Sequence, residues 1–466
     1  MRSTTHERDY SGRGCARNAL DLARRRPDRL RVEHRCRVDR PAAVVAGGSF
    51  CTSPSRCTGS KSVANCHFRN CRRACLPDLA CLLGAAHNCR AANGRHRQGR
   101  RGHHGGSRGH ADCGVLRHKF RSVTHPPGSP PTSSPITGEA AIIDILAPLT
   151  ARFPGAFALK DDCAALVPTP GYDLVLKTDA VAEGVHFFAD DAASDIGWKA
   201  LAVNVSDLVA KGARPRVYLM ALAFPAPPSL HWLRDFARGL EQAQTCFGIT
   251  LAGGDTDRRH GPLSITIAAI GEVPAGRMVR RAAAEAGDLL YVSGTLGDAA
   301  LGLKLRSDGS QAAQWELAPD DALALVRRYL RPEPRLALAP VLRDHARAAM
   351  DLSDGLVKDL GRMMQASGTA AVVHAAKVPL SKPAAAAQAR TPALLIDVLT
   401  GGDDYEVLAA VAPDRAKSFE QAAAAAGIAV ARIGETTPRR PEAGRVVVQD
   451  HDGRQLDLVR SGWDHF

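Results

Sequence analysis

The chain has 466 residues, a formal charge of +13 and 12 cysteines, a length that allows roughly two or three domains and a sizeable core. No apolar run approaches the ~18 residues of a membrane-spanning helix, which argues against a span. The basic excess would point to nucleic acid or an anionic surface, but it is confined to one end. Residues 1–137 hold 24 Arg and 2 Lys against 8 acidic residues, while 138–466 hold 35 basic against 40 acidic, so the two parts carry +18 and −5.

The first segment, 1–137, contains ten of the 12 Cys and ten of the 17 His, and only 19 of its residues are Leu, Ile, Val or Phe. That is too little apolar side chain for a packed core, so the segment reads as a disordered basic extension. Three origins compete. A zinc module would need ligand pairs at short spacing, yet there is no C-x-x-C, and Cys71 and Cys75 have no matching second pair. A basic arm or transit peptide fits the Arg-rich, acid-poor composition. The favoured reading is a mis-assigned start, because Arg, Ala, Gly, Pro, Cys and His are what GC-rich DNA yields in a wrong frame. After Met1 the next methionine is Met220. The spacer PPGSPPTSSP ends at Pro135, and the folded part is expected to begin at Gly138-Glu139.

From 138 onward the pattern turns globular. A first amphipathic helix is predicted over 140–153, then a short strand over 174–177 ending at Thr178-Asp179. A helix capped by Ser194 or Asp195 should run to Lys211 and stop at Gly212. Its stripe of Ile196, Ala200, Leu201, Val205, Leu208 and Val209 leaves Asn204, Asp207 and Lys211 on a separate face. A strand over 217–224, a helix over 230–247 and a strand over 249–252 lead into a turn, Gly253-Gly254-Asp255-Thr256. Another strand covers 263–273. A second half follows: a strand over 288–293, a turn over 294–297 into a helix, a helix over 321–330 with Asp320 as N-cap, and a strand into Asp351-Leu352-Ser353-Asp354-Gly355. A helix then starts at Leu356, and Gly401-Gly402-Asp403-Asp404-Tyr405-Glu406 precedes a strand over 407–411. The fold class is α/β (α+β), with an N-terminal domain at 138–285 and a C-terminal domain at 286–466.

One feature recurs: an apolar strand ends and an Asp follows in a Gly- or Ser-bearing turn. It occurs at Asp179, Asp255, Asp351/Asp354 and Asp403-Asp404, with Asp161-Asp162 and helix residue Asp207 adding carboxylates. Converging carboxylates repel unless a cation sits among them. Oxygen-only donors select a hard ion such as Mg²⁺, which joins one or two carboxylates to substrate phosphates. That is the apparatus of phosphoryl transfer. No G-x-x-x-x-G-K-[ST] and no H-R-D or D-F-G set occurs, which excludes P-loop and protein-kinase machinery. Cys163 and Cys246 read as core thiols.

Several stretches in order resemble the thiamine-monophosphate kinase family, within the aminoimidazole ribonucleotide synthetase superfamily: GEAAII at 138, KDDCA at 160, LKTDAVAEGVHF at 176, WKALAVNVSDLVAKGARP at 198, LAGGDT at 251, RPEPRLAL at 331, MDLSDGLVKDL at 350, GGDDYEVL at 401 and a terminal GWDHF. The resemblance covers 138–466 and none of the first segment. It implies ATP- and Mg²⁺-dependent phosphorylation of thiamine monophosphate to thiamine diphosphate by direct in-line transfer. It also implies a cytoplasmic homodimer formed through the N-terminal half, with no membrane or nucleic-acid partner. By position it assigns Asp162, Thr178, Asp179, Asp207, Asp255, Asp351 and Asp354 to Mg²⁺, with Asp162, Asp255, Asp351 and Asp354 as the catalytic set. Gly253, Gly254, Arg281 and Ser353 go to ATP, and His186, Asp403 and Trp463 to the thiamine phosphate. Asp403 stands where the family more often has Glu, one methylene longer. A selenophosphate synthetase would be expected to carry a reactive Cys or selenocysteine in a Gly-rich N-terminal stretch, and a nucleic-acid-binding reading rests on 1–137 alone.

Overall fold

The computed structural model describes residue 136, residues 138–439 and residues 443–464. The disordered extension expected over 1–137 therefore lies outside the described residues, except for Ile136. That residue is buried against the N-terminal core, and its N–H donates to the Pro228 carbonyl at 3.1 Å. The described residues fall within one unit, 126–466.

A short helix α1 (Glu139–Leu146) opens the fold and gives way at Pro148 to a 3₁₀ turn, Ala147–Thr150. Proline cannot donate within a helix, so the helix expected over 140–153 is cut short. Four strands follow, β1 (Tyr172–Ala182), β2 (Arg214–Phe224), β3 (Thr250–Arg258) and β4 (Ser264–Pro274), in the order β1-β4-β2-β3. Two of the expected strand-ending turns are absent. Thr178-Asp179 and Gly253-Gly254-Asp255 lie inside β1 and β3, because β4 pairs with all eleven residues of β1 and β2 pairs with β3 from Thr250 to Arg258. Ladder hydrogen bonds to long neighbours override the local turn preference of Gly and Asp. Gly254 has a packing reason there: an added Cβ would lie 1.9 Å from the Met220 carbonyl oxygen.

Helix α2 (Ala193–Ala210) packs against this sheet, against α3 (Leu230–Phe247), and against strands of the second half. It is buried on almost every side. Helix α3 has the expected limits because its ends are chemically marked. Ser229 Oγ accepts from the Trp232 N–H at 3.1 Å, and Gly248 closes the helix with φ 66°.

The second half runs β5 (Leu289–Ser293), α4 (Asp298–Ser307), α5 (Gln311–Gln314), α6 (Pro319–Leu330), α7 (Leu338–His345), β6 (Ala346–Asp351), α8 (Leu356–Ser367), β7 (Ala370–His374), α9 (Lys382–Arg390), α10 (Leu394–Thr400), β8 (Val407–Val411), α11 (Ala416–Ala425), β9 (Val430–Thr437) and β10 (Val446–Gln449). Its six-stranded sheet has the order β10-β7-β9-β5-β8-β6. Alternate residues serve two cores. Tyr291, Ala349, Val407 and Ala409 join the core around α2, whereas Leu290, Val292, Met350 and Leu408 pack beneath α8 and α10. Asp320 lies in the first turn of α6 while Ala318 takes the N-cap position, so the expected cap is displaced by Pro319 at the start of the helix. Cys163 is exposed and Cys246 half-buried, against the expectation of core thiols.

Candidate active site

Two cavities share a wall. A 930 Å³ cleft is lined by His186, Asp354, Asp403 and Trp463, and a 590 Å³ cavity by Asp207, Lys211, Arg281 and Asp351. Asp179 and Ser353 line both. The residues expected to touch thiamine phosphate thus meet in one cleft, and six of those expected to hold metal and nucleotide (Asp179, Asp207, Arg281, Asp351, Ser353 and Asp354) divide between it and its neighbour.

The shared wall is built by main-chain bonds. The Asp403 N–H donates to the Ser353 carbonyl, the Tyr405 N–H to the Leu352 carbonyl and the Leu352 N–H to the Glu406 carbonyl, at 2.8–2.9 Å. They staple the turn after β6 to the segment before β8. Asp403 and Tyr405 have φ of 70° and 50°, a region costly for side chains with a Cβ, and most so for a bulky one like Tyr. Such strain persists where surrounding bonds over-determine it. Gly355 enters α8 at φ 115°, with no room for a Cβ beside the Thr400 carbonyl.

Four residues to which the sequence assigns no role hold this arrangement, and only Asp404 among them is marked, in Gly402-Asp403-Asp404. Asp359 Oδ2 accepts from the Ser353 and Asp354 N–H groups at 3.0 and 2.9 Å. Burial lifts its pKa to about 6 against those bonds. Asp404 is buried and accepts from the Gly297 and Ala299 N–H groups at 2.7 and 3.2 Å, anchoring the start of α4. Burial pushes its pKa up to about 8. Glu406 is fully buried and takes charge-assisted bonds from Arg328 and Arg335, each at 2.8 Å, and from Ser293 Oγ at 2.6 Å. Lys199 is buried in α2 and donates to Asp403 Oδ2 at 2.8 Å and to the His186 carbonyl at 2.9 Å, with its ammonium 3.7 Å from the centre of the Tyr329 ring. One signal for Lys199 was available: it lies three residues after Ile196 and four before Val203, a charge inside an apolar stripe.

The carboxylates of the smaller cavity come together in pairs. Asp207 lies beside Asp351, and the Asp179 backbone N–H is fixed by Asn204 Oδ1 at 2.9 Å. Burial, then the Asp207 charge, holds Asp351 well above the usual carboxylate range, and burial likewise raises Asp179. Burial lowers Lys211 on the same wall. Asp351 Oδ2 is buried with no hydrogen-bond partner. An oxygen-only group with an orphaned buried carboxylate oxygen fits a hard cation. Among the described residues, no three expected carboxylates put oxygens within 4.8 Å of one another; Asp450, His451 and Asp452 do, in an exposed stretch remote in sequence from this set. The spread suits an ion that also needs phosphate oxygens.

Part of the expected set is not brought in. Asp162 lies in an exposed loop, and Asp162, Thr178, Gly253, Gly254 and Asp255 line neither cavity. Side chains alternate along β1, so Thr178 faces away from Asp179. Asp255 sits on β3, at the far edge of the sheet from β1, and pairs through Ala221 and Thr266 to Ala180 on the face that carries Thr178. No single ion can join Asp255 to Asp179 within one chain.

Residues 160–273 match the family described as AIR synthase related protein, N-terminal domain, and residues 285–447 match its C-terminal domain. The thiamine-monophosphate kinase of Caulobacter vibrioides is 41% identical over 338 residues, covering 72% of this chain and 92% of that protein. The chain belongs to the thiamine-monophosphate kinase family. The family's Escherichia coli K12 member is 37% identical over 317 residues, or 68% of this chain and 94% of its own length. A crystal structure of the thiamine-monophosphate kinase from Stenotrophomonas maltophilia K279a superposes with a TM-score of 0.59 at 37% identity, covering 68% of this chain and 98% of that one. A structure of AaThiL complexed with AMPPCP and TMP gives 0.55 at 31% identity, covering 71% and 97%.

Proposed function

We propose that the chain transfers the γ-phosphoryl group of ATP to the phosphate of thiamine monophosphate, giving thiamine diphosphate and ADP. It is a phosphotransferase whose acceptor is itself a phosphate. The observation that carries this reading is the shared wall: a cavity of carboxylates and cations opens beside a cleft containing an indole, and Asp179 and Ser353 belong to both.

Arg281 and Lys211 supply positive charge for the triphosphate. Asp179, Asp207, Asp351 and Asp354 would hold Mg²⁺, which when bound neutralises charge on the phosphates. Trp463, 49% exposed at the rim, offers a π face to the cationic thiazolium. Lys199 and Tyr329 hold the His186 carbonyl, at 2.9 and 3.1 Å, and so fix the loop that carries the His186 ring into the cleft. An acceptor oxygen that is already anionic needs no general base. It forms a bond to the γ-phosphorus as the bond to the β,γ-bridging oxygen breaks, without a phospho-enzyme.

A homodimer and a cytoplasmic location go with this reading. Support for the dimer comes from the uncovered face of the four-stranded sheet, where Leu176 is 73% and Leu219 42% exposed, an apolar surface of the kind that marks an interaction site. A second copy seated there would bring one chain's β3 towards the other's β1, and Asp255 and Thr178 could then serve a neighbouring site. The test is direct: full-length protein, ATP, Mg²⁺ and thiamine monophosphate, with thiamine diphosphate measured by its fluorescent oxidation product. Absence of product rejects the reading.

A further inference from the structure

The carboxylates assigned to Mg²⁺ already hold a cation from their own chain. Lys177 Nζ lies 2.6 Å from Asp207 Oδ2 and 3.0 Å from Asp179 Oδ1. Lys211 on the same wall donates instead to the Ala349 carbonyl at 2.8 Å. One ammonium thus satisfies two of the four carboxylates, Asp354 pairs with Arg362 at 2.6 Å, and Asp351 keeps its buried Oδ2 unpartnered. A divalent ion cannot bridge Asp179 and Asp207 while Nζ sits in contact with both, since it would meet a like charge at contact distance.

We propose that Lys177 is a resident stand-in for the ion, keeping Asp179 and Asp207 together while nucleotide is absent and yielding the place when a triphosphate arrives. This rests on the Mg²⁺ reading above. A lysine suits this role because its head is a compact point charge on a flexible stem, with three donors that can exchange carboxylate for phosphate oxygens. The ion then enters with its nucleotide and binds weakly alone. Removing the ammonium leaves two adjacent carboxylates repelling each other beside a third, which raises their affinity for a free divalent ion.

The experiment measures Mn²⁺ binding to full-length protein without nucleotide, by the electron paramagnetic resonance signal of the free ion. Lys177→Met and Lys177→Gln should bind Mn²⁺ at least about tenfold more tightly than wild type, and Lys177→Arg should stay with wild type. Equal affinity in wild type and both neutral variants overturns the stand-in role and leaves the ion site standing. Circular dichroism melts accompany the titrations. Unfolding of both neutral variants also overturns the proposal, since Lys177 would then be holding the fold. A non-hydrolysable ATP analogue whose affinity Mn²⁺ leaves unchanged in every one of these proteins overturns the ion site itself.

Discussion

The two sheets differ in how they are covered. The six-stranded sheet buries both faces, one against the core around α2 and one beneath α8 and α10. The four-stranded sheet buries one face against α2 and leaves Leu176, Thr178, Leu219 and Ala221 on the other. Residues of the doubly covered sheet reach the site as turns whose main chain is pinned. Residues of the half-covered sheet divide by parity: Lys177 and Asp179 face the site, Thr178 and Asp255 do not. A motif on such a strand tells which residue types are present, but the uncovered neighbour decides which of them can act together.

The sharpest break of this comparison is Asp207→Asn, on the covered side. It should lower kcat by about 100-fold or more with the melting curve unchanged. Asp255→Asn, on the uncovered side, should lose a similar factor if a second copy completes the site. Mixing these two inactive proteins then restores activity through mixed dimers, and a mixture that stays inactive confines Asp255 to its own chain. Lys199→Met should come next. Removing one partner of a buried ion pair costs about 3 kcal/mol, read as a lower melting temperature, and freeing Asp403 and the His186 loop should raise KM for thiamine monophosphate more than it lowers kcat.

A smaller effect concerns Asp404. A carboxyl lifted to about 8 binds its proton more tightly in the folded state than in the unfolded chain. Its stabilisation is complete below the unfolded pKa of about 3.9 and is lost as pH rises through 8. Asp404→Asn should therefore flatten that part of the stability profile, measured by denaturant melts from pH 4 to 9. The smallest effect is expected at Trp463, where Trp463→Leu should raise KM by about three-fold, as a half-exposed cation–π contact allows.

Much of the fold is legible locally. Strand β8 is bounded as its apolar run suggests, and α3 begins and ends at a capping Ser and a left-handed Gly. The same local reading stops β1 and β3 too early, because the bonds that extend them come from β4 and β2, distant in sequence. At the site, Asp179, His186, Ser353, Asp354, Asp403 and Trp463, which the family resemblance had assigned to different ligands, line one cleft. Asp359, Asp404 and Glu406 stand within the same motifs but work through partners such as Arg335 and the Gly297 N–H, and nothing in the motif says what stands opposite.

The three main-chain bonds between residues 351–354 and 403–406 have a further consequence. They set the separation between the walls of the two cavities, and no side chain takes part in them. Shortening a Glu to Asp at 403, or exchanging the residues that line either cavity, changes how firmly each substrate is gripped but leaves the gap between the two substrates as it was. Under the proposed function, the path length of the phosphoryl group is set by the backbone rather than by the side chains that line either cavity.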